Sequence, residues 1–184
     1  MPLPNRNSDA VPLTDAQAIG AARRGDLSAL AALYERHARA LFAVAYRLLQ
    51  SREEAEDVVH DVFVGLPEAL RHYEERGALL SWLRKVSARV ALARLRRADA
   101  RSTISLSADQ PQVPSSDPHT ILTLERAVGE LSPALRAVLV LKEIEGFSHR
   151  EIAGMLDISV GASEVRLHRA LRTLRAALTK EDAP

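Results

Sequence analysis

LLSWLRKVSARVALARLRR, residues 79–97, has the residue spacing of one long helix with two distinct faces. At about 100° per residue, its apolar side chains fall on one side of the helix: Trp82, Leu83, Val86, Val90 and Ala93. A separate stripe, whose edge touches Trp82, consists of the cations Lys85, Arg89 and Arg96. From Arg84 to Arg101 the only acid is Asp99. The predicted helix therefore has one face to bury and a cationic face that nothing nearby in the sequence neutralises.

Two interpretations fit this helix. A row of cations beside the chain's only Trp suits a nucleic-acid backbone, with an aromatic ring available for base stacking. A solvated amphipathic helix with a Trp in the core would have the same pattern. The residues that follow in the chain favour the first interpretation.

The composition is that of an all-α protein without cysteine. The 184 residues are enough for one or two small domains, and 47% hydrophobic with 27% charged residues is typical of helical proteins. The absence of Cys excludes disulfides, thiol redox sensing and Cys-ligated zinc. The net charge of +1 hides a segregation, because residues 53–61 are acidic and the later helical blocks are basic. Such segregation suggests two partners of opposite electrostatic preference.

The N-terminal sequence MPLPNRNSDAVPL has no helical periodicity and no apolar leader region. We expect residues 1–13 to form a disordered tail. No run approaches the roughly 18 apolar residues of a membrane span, so we expect a cytoplasmic protein with no membrane insertion.

Residues 14–98 are predicted to form one compact all-α domain. Thr14 can cap a first short helix, and the capping box Ser51–Glu54 begins the third. A short charged loop, residues 74–78, leads into the basic helix. His37 lies on or beside the apolar stripe of the second helix. We interpret it as a packing residue, because no second His or Cys accompanies it at metal-ligand spacing.

The helix that starts at Ser51 has an acidic face, with Glu56/His60 and Asp57/Asp61 one turn apart. Carboxylates and a His in this arrangement can hold a divalent metal, but they would need ligands from another helix. An acidic docking face, or a merely solvated one, accounts for the pattern with fewer assumptions.

The composition changes at residues 99–119, which are rich in Ser, Asp, Pro and Gln and lack apolar periodicity. We predict a flexible linker there, followed by a second helical domain over residues 120–184. Its capping box Ser148–Glu151 opens a brief helix. A tight turn at Asp157–Ile158 then leads to Ser159, the predicted N-cap of a long basic helix. This pattern is typical of a helix-turn-helix, although a plain helical hairpin would also have it.

The final helix is predicted to bury one stripe, which consists of Val160, Leu167, Leu171, Leu174 and Leu178. The opposite arc carries Glu164, Val165, His168, Arg169 and Arg172, with Arg166 further round. Side chains early in a recognition helix reach base edges, and Arg residues contact phosphates or guanine.

These motifs resemble the bacterial sigma-70 family, in its small extracytoplasmic-function (ECF) group. Residues 151–170, EIAGMLDISVGASEVRLHRA, resemble region 4, and Leu131–Pro133 resembles its start. Residues 54–63, EAEDVVHDVF, resemble the region 2 segment that binds polymerase, and Trp82–Leu83 with Leu95–Arg97 resembles the segment that melts the −10 element. The resemblance covers about residues 14–98 and 120–179, with both regions in the expected order.

The resemblance implies a specificity subunit of core RNA polymerase, which contacts the β′ clamp helices and the β flap and uses no catalytic residue, metal or cofactor of its own. The implied polymerase contacts are Glu54, Glu56, Asp57, His60, Asp61 and Phe63. The implied contacts to the −10 element of promoter DNA are Trp82, Lys85, Arg89, Arg96 and Arg97. Those to the −35 element are Ser163, Glu164, Val165, Arg166, His168, Arg169 and Arg172. Members of this group are commonly held inactive by an anti-sigma factor.

The chain departs from the family pattern at several of these positions. Arg89 stands where the family often has Asn, and Ala93 replaces the usual Asp, which alters any pocket for a flipped −10 base. In the recognition helix, Glu164 replaces the usual Lys; it either removes a phosphate contact or accepts a hydrogen bond from cytosine N4. Asp157 replaces the usual turn Gly, which is tolerable because Asp accepts a left-handed backbone.

Two other functions compete with the sigma-factor interpretation. A stand-alone helix-turn-helix regulator would bind duplex DNA without polymerase and would not need the acidic helix. A metal-dependent hydrolase would use Glu56, Asp57, His60 and Asp61, and metal would then stabilise the fold against heat.

Overall fold

The computed structural model describes residues 13–74, 76–101 and 124–181, except for the side chains of residues 98–101 and 179–181. Within these ranges every regular element is helical, which confirms the predicted all-α class. The first unit contains α1–α4 and the second contains α5–α8, as follows: α1 Asp15–Arg23, α2 Leu27–Leu49, α3 Arg52–Arg71, α4 Leu79–Arg101, α5 Leu124–Gly129, α6 Pro133–Leu139, α7 His149–Leu156 and α8 Val160–Glu181. Most of the predicted tail (residues 1–12) and most of the predicted linker (residues 102–119) lie outside the described residues.

Helix starts follow the local sequence. The Thr14 side chain accepts a hydrogen bond from the Gln17 N–H, and Oε1 of Gln17 accepts one from the Thr14 N–H, so α1 has a full capping box. Ser148 and Glu151 form the predicted box at α7. At α3 only half of the predicted box forms, because Ser51 accepts from the Glu54 N–H while the side chain of Glu54 makes no reciprocal bond.

α2 and α7 end on a residue with left-handed backbone. These residues are Gln50 (φ 56°) and Asp157 (φ 54°), and Asp157 is the turn residue predicted to tolerate it. The end of α6 differs from the prediction. The helix does not run uniformly to Gly146 but passes into a π-helical segment, Val140–Ile144, before Gly146 turns the chain with φ 72°.

The core of the first unit lies between α2, α3 and α4. It is lined by leucines and small apolar residues, including Leu33, Leu41, Leu66 and Leu83. His37 is buried beside this core, and its Nε2 lies 3.1 Å from Oδ2 of Asp15, in agreement with a packing role. Burial alone would raise the pKa of Asp15, but hydrogen bonds with Arg36 and His37 outweigh it and hold the pKa below its ordinary value.

The predicted buried face of α4 is partly wrong. In the described part of the helix the buried residues are Leu79, Leu83, Ser87, Ala88, Ala91 and Leu92, whereas Trp82, Val86, Val90 and Ala93 are only partly buried. The reason is that α4 packs on both units, against α2 and α3 on one side and α7 on another. The buried arc therefore widens and turns away from the face that periodicity alone selects.

The predicted stripe of α8 needs a similar correction. Val160, Leu171 and Leu178 are exposed, and the buried residues are Ser163, Ala170 and Leu174. Because α6 and α7 are short, they cover only a narrow strip of this long helix.

The two units pack against each other. α2 contacts α5 and α6, and α4 contacts α7, so that one cluster of buried residues runs through both units. Arg136 is the largest side chain in this region, and only 1% of it is exposed. Its guanidinium donates to the carbonyls of Leu48 (3.3 Å), Gly129 (2.9 Å) and Leu131 (3.1 Å), the first of which belongs to α2. Burial lowers the pKa of Arg136 to about 10, so it remains a cation at neutral pH.

Candidate polymerase and promoter interfaces

The acidic surface of α3 lies on its solvent side. Glu56, Asp57, His60 and Asp61 are exposed, and Glu54 is partly exposed. Phe63 differs from the expectation, because it is buried and packs edge-on against Tyr34 with ring centroids 4.9 Å apart. We therefore remove Phe63 from the candidate polymerase contacts and assign it to the core.

Arg94 of α4 is a residue of this surface that the sequence did not reveal. Its guanidinium pairs with Asp57 at 3.0 Å and also with Asp61. The hydrogen bond to Asp61 raises the pKa of Arg94 above its ordinary value. Nothing local marks this pairing, since the partners lie more than thirty positions apart. Two of the four exposed α3 groups are thus tied to the helix that carries the basic stripe.

The metal-site alternative gains no support from the geometry. Asp57 and Asp61 pair with Arg94, and Glu56 pairs with Arg52 at 2.8 Å. No group of three or more His, Cys, Asp or Glu side chains that could hold a metal occurs in the described part of the chain.

Trp82 of α4 contacts a second aromatic residue, which the sequence did not reveal. Tyr73, just before the loop, lies beside Trp82 with ring centroids 4.8 Å apart and planes inclined by 44°. Arg23 of α1 donates to the carbonyls of Leu70 (2.9 Å) and Tyr73, which fixes the end of α3 in front of that loop. The partly exposed Trp82 ring therefore packs against a second aromatic ring, and an aromatic ring accessible to solvent can stack on a base.

The cations of α4 differ in their neighbours. Arg89, Arg96 and Arg97 are exposed, and Lys85 is partly buried. Lys85, Arg89 and Arg96 border the second unit: Nζ of Lys85 lies 5.2 Å from the ring centroid of Phe147, and Arg89 and Arg96 line a cleft with Gly154 and Met155. The predicted stripe exists, but one edge of it adjoins α7.

The second unit has the predicted helix-turn-helix geometry. α7 ends at the left-handed Asp157, and Oγ of Ser159 accepts from the Ala162 N–H at 3.0 Å to cap α8. Ser163, at the first turn of α8, is completely buried, with its Oγ 2.9 Å from Nδ1 of His149. We therefore exclude Ser163 from the candidate base contacts, because it joins the two helices instead.

The remaining −35 candidates separate by exposure. Five are exposed on one arc of α8: Glu164, Val165, His168, Arg169 and Arg172. Arg166 is partly buried and lines a cleft with Arg96 of α4 and Ile158 of the turn. The exposed arc presents an acid, an apolar group, a His and two cations, a mixture suited to base edges and phosphates together.

Comparison with known families matches both units. The family model for Sigma-70 region 2 matches residues 33–101, and that for Sigma-70, region 4 matches residues 121–174. The ECF RNA polymerase sigma factor SigL of Mycobacterium tuberculosis is 31% identical over 171 residues, which cover 87% of this chain and 94% of SigL. The chain belongs to the ECF sigma factors.

A second relative agrees with this assignment, and one solved structure shares the fold. SigE of Mycolicibacterium smegmatis, also an ECF RNA polymerase sigma factor, is 29% identical over 82% of this chain, which spans 62% of the length of SigE. The sigma factor RpoE of Bartonella quintana, solved in complex with the anti-sigma factor NepR, shares the fold with a TM-score of 0.53 at 21% identity, covering 77% of this sigma factor and 91% of RpoE. Within the described ranges, no helix is long and apolar enough to cross a membrane.

Proposed function

We propose that this sigma factor binds core RNA polymerase through the exposed face of α3 and directs it to promoters through α4 and α8. One observation carries the proposal. The two family regions coincide with two kinds of exposed surface, which are the acidic face of α3 in region 2 and the basic surfaces of α4 in region 2 and α8 in region 4. The α3 surface is Glu54, Glu56, Asp57, His60 and Asp61, and it would meet the β′ clamp helices. The second unit would meet the β flap. The proposed activity needs no cofactor and assigns no catalytic residue.

Promoter binding divides between the two units. Trp82, Lys85, Arg89, Arg96 and Arg97 would hold the melted −10 strand, in which stacking and phosphate contacts replace duplex readout. Glu164, Val165, Arg166, His168, Arg169 and Arg172 would lie at the major groove of the −35 element. Residues 99–119 would link the two domains, 14–98 and 120–184, and the chain would act in the cytoplasm with the polymerase.

An anti-sigma factor is the third partner that we propose. RpoE, which shares the fold, was solved in complex with the anti-sigma factor NepR. In this chain such a partner would cover the DNA-binding surfaces of α4 and α8.

Run-off transcription tests the proposal. Core polymerase with the full chain, on a library of upstream sequences, should give transcripts that share −35 and −10 elements, and core alone should not. Glu56→Lys should weaken binding to core, while Glu68→Lys, at the exposed far end of the same helix, should leave it unchanged. Failure of the wild type to bind core, with specific duplex binding retained, would favour a stand-alone helix-turn-helix regulator instead.

A further inference from the structure

The second unit meets the first along the face of α4 that carries the −10 cations. α7 contacts α4, while α5 and α6 contact α2. Besides the Arg136–Leu48 hydrogen bond, Arg47 of α2 lies 3.7 Å from the carboxylate of Glu125 in α5. Polar contacts thus join the two units at the α2 side of their boundary.

A buried ion pair joins the units at the α4 side. Nη2 of Arg84 lies 3.0 Å from Oε1 of Glu145, and only 1% of the Glu145 side chain is exposed, compared with 33% of the Arg84 side chain. A carboxylate removed from water is costly unless a cation compensates it. Glu145 is therefore adapted to the closed arrangement and would be hydrated if the units separated. We call this pair the latch.

The closed arrangement places α7 against one edge of the −10 surface. Lys85 lies over Phe147, which follows the latch by two residues. Arg89 and Arg96 are exposed, but each has one side on a cleft shared with α7. A hydrogen bond from the Ser148 N–H is the main cause that lowers the pKa of Glu151, and Lys85 and Arg89 add to the shift by their charge. An acid of α7 thus lies within the electrostatic field of the cations that the −10 strand would use.

We propose that the free sigma factor is closed on itself by the Arg84–Glu145 latch, so that α7 competes with the −10 strand for Lys85 and for the sides of Arg89 and Arg96 that line the cleft. The exposed arc of α8 stays accessible in this state. The competition part of the inference rests on the proposed function of α4, whereas the closed arrangement does not.

Charge reversal at the latch tests the arrangement. The chain has no cysteine, so spin labels at Val64→Cys and Leu178→Cys report one distance between the units. The otherwise wild-type chain should give a narrow distance distribution. Glu145→Arg and Arg84→Glu should each broaden it, and the double exchange should narrow it again. Glu143→Arg, the same charge change at an exposed neighbour, is the matched control and should leave it narrow.

Binding of a single-stranded −10 oligonucleotide to the full, unlabelled chain tests the competition. Because the apparent affinity is reduced by the fraction of competent protein, Glu145→Arg should tighten binding about tenfold, and the double exchange should reverse the gain. Circular dichroism confirms that each variant is helical. A narrow distribution in Glu145→Arg would overturn the latch whether or not the oligonucleotide binds.

The two proposals fail in different ways. A broadened distribution with unchanged oligonucleotide affinity would overturn the competition and leave α4 as a DNA surface. Failure of the core-bound chain to transcribe would instead count against the proposed function, while the distance measurement still decides the latch.

Discussion

At the scale of the residue, Arg136 makes the clearest contribution to stability. Arg136→Met should lower the free energy of unfolding by about 2–3 kcal/mol, because three buried carbonyls lose their donor and the apolar replacement cannot satisfy them. Denaturant unfolding measures the change. Arg150→Met, at an exposed position of α7, should change it by less than about 0.5 kcal/mol. Equal stability of the two variants would contradict the role assigned to the Arg136 hydrogen bonds.

Glu164 is the residue that most alters the expected DNA preference. Glu164→Lys should strengthen −35 binding and steepen its salt dependence by about one charge, because a phosphate contact replaces a repulsion. It should also reduce discrimination in favour of cytosine, which a carboxylate can recognise at N4. Titration of holoenzyme with −35 variants measures both effects, with Glu143→Lys as the control for net charge. If Glu164→Lys changed neither the −35 affinity nor the base preference, the role assigned to Glu164 would be contradicted.

At the scale of the element, α7 depends on its capping box. The hydrogen bonds from Ser148 hold the pKa of Glu151 below its ordinary value of 4.5. The ionised carboxylate therefore stabilises the fold above about pH 4.5, and this contribution disappears as the pH falls through the lowered pKa. Glu151→Gln keeps a capping side chain without a charge.

The stabilities of the wild type and of Glu151→Gln should therefore depend differently on pH. The stability of the wild type should exceed that of Glu151→Gln at neutral pH, and the difference should vanish in acid. Thermal melts of both proteins between pH 7 and pH 3 test this expectation, and a difference independent of pH would contradict it.

Features that depend on neighbouring residues could be predicted from the sequence, whereas buried faces could not. The caps at Thr14 and Ser148 and the left-handed Asp157 arise within a few residues, so the sequence contains all of their causes. The buried arcs of α4 and α8 depend on which helices pack against them, and that information lies in distant segments. The π-helical segment was missed as well, because nothing in its composition separates it from an α-helix.

The same distinction applies to the candidate site. Exposed cations and acids at helical spacing, such as Arg89 and Asp61, lie on surfaces as predicted. Phe63 and Ser163 fit the family pattern but are buried. Their burial depends on tertiary contacts, of Phe63 with Tyr34 and of Ser163 with His149. Arg94 and Tyr73 escaped notice because their partners are remote in the sequence or unmarked by any motif.

At the scale of the whole molecule, one buried cluster continues from α2 and α4 into α6 and α7. We therefore expect scanning calorimetry of the full chain to show a single cooperative transition. Arg136→Met should lower the temperature of that transition as a whole. Two well-separated transitions in the wild type would show that the units unfold independently and would contradict the shared core.

The latch also constrains how this chain can be recombined with its relatives. Arg84 and Glu145 lie 61 positions apart and on opposite sides of the natural boundary for exchanging domains. A chimera that takes its second half from another sigma factor inherits only one partner, unless the donor supplies an acid at the matching site. In such a chimera the two units would separate more or less readily than in either parent, even where each unit keeps its own promoter preference. When a domain is exchanged to change promoter specificity, Arg84 and Glu145 should therefore be kept as a pair in the chimera.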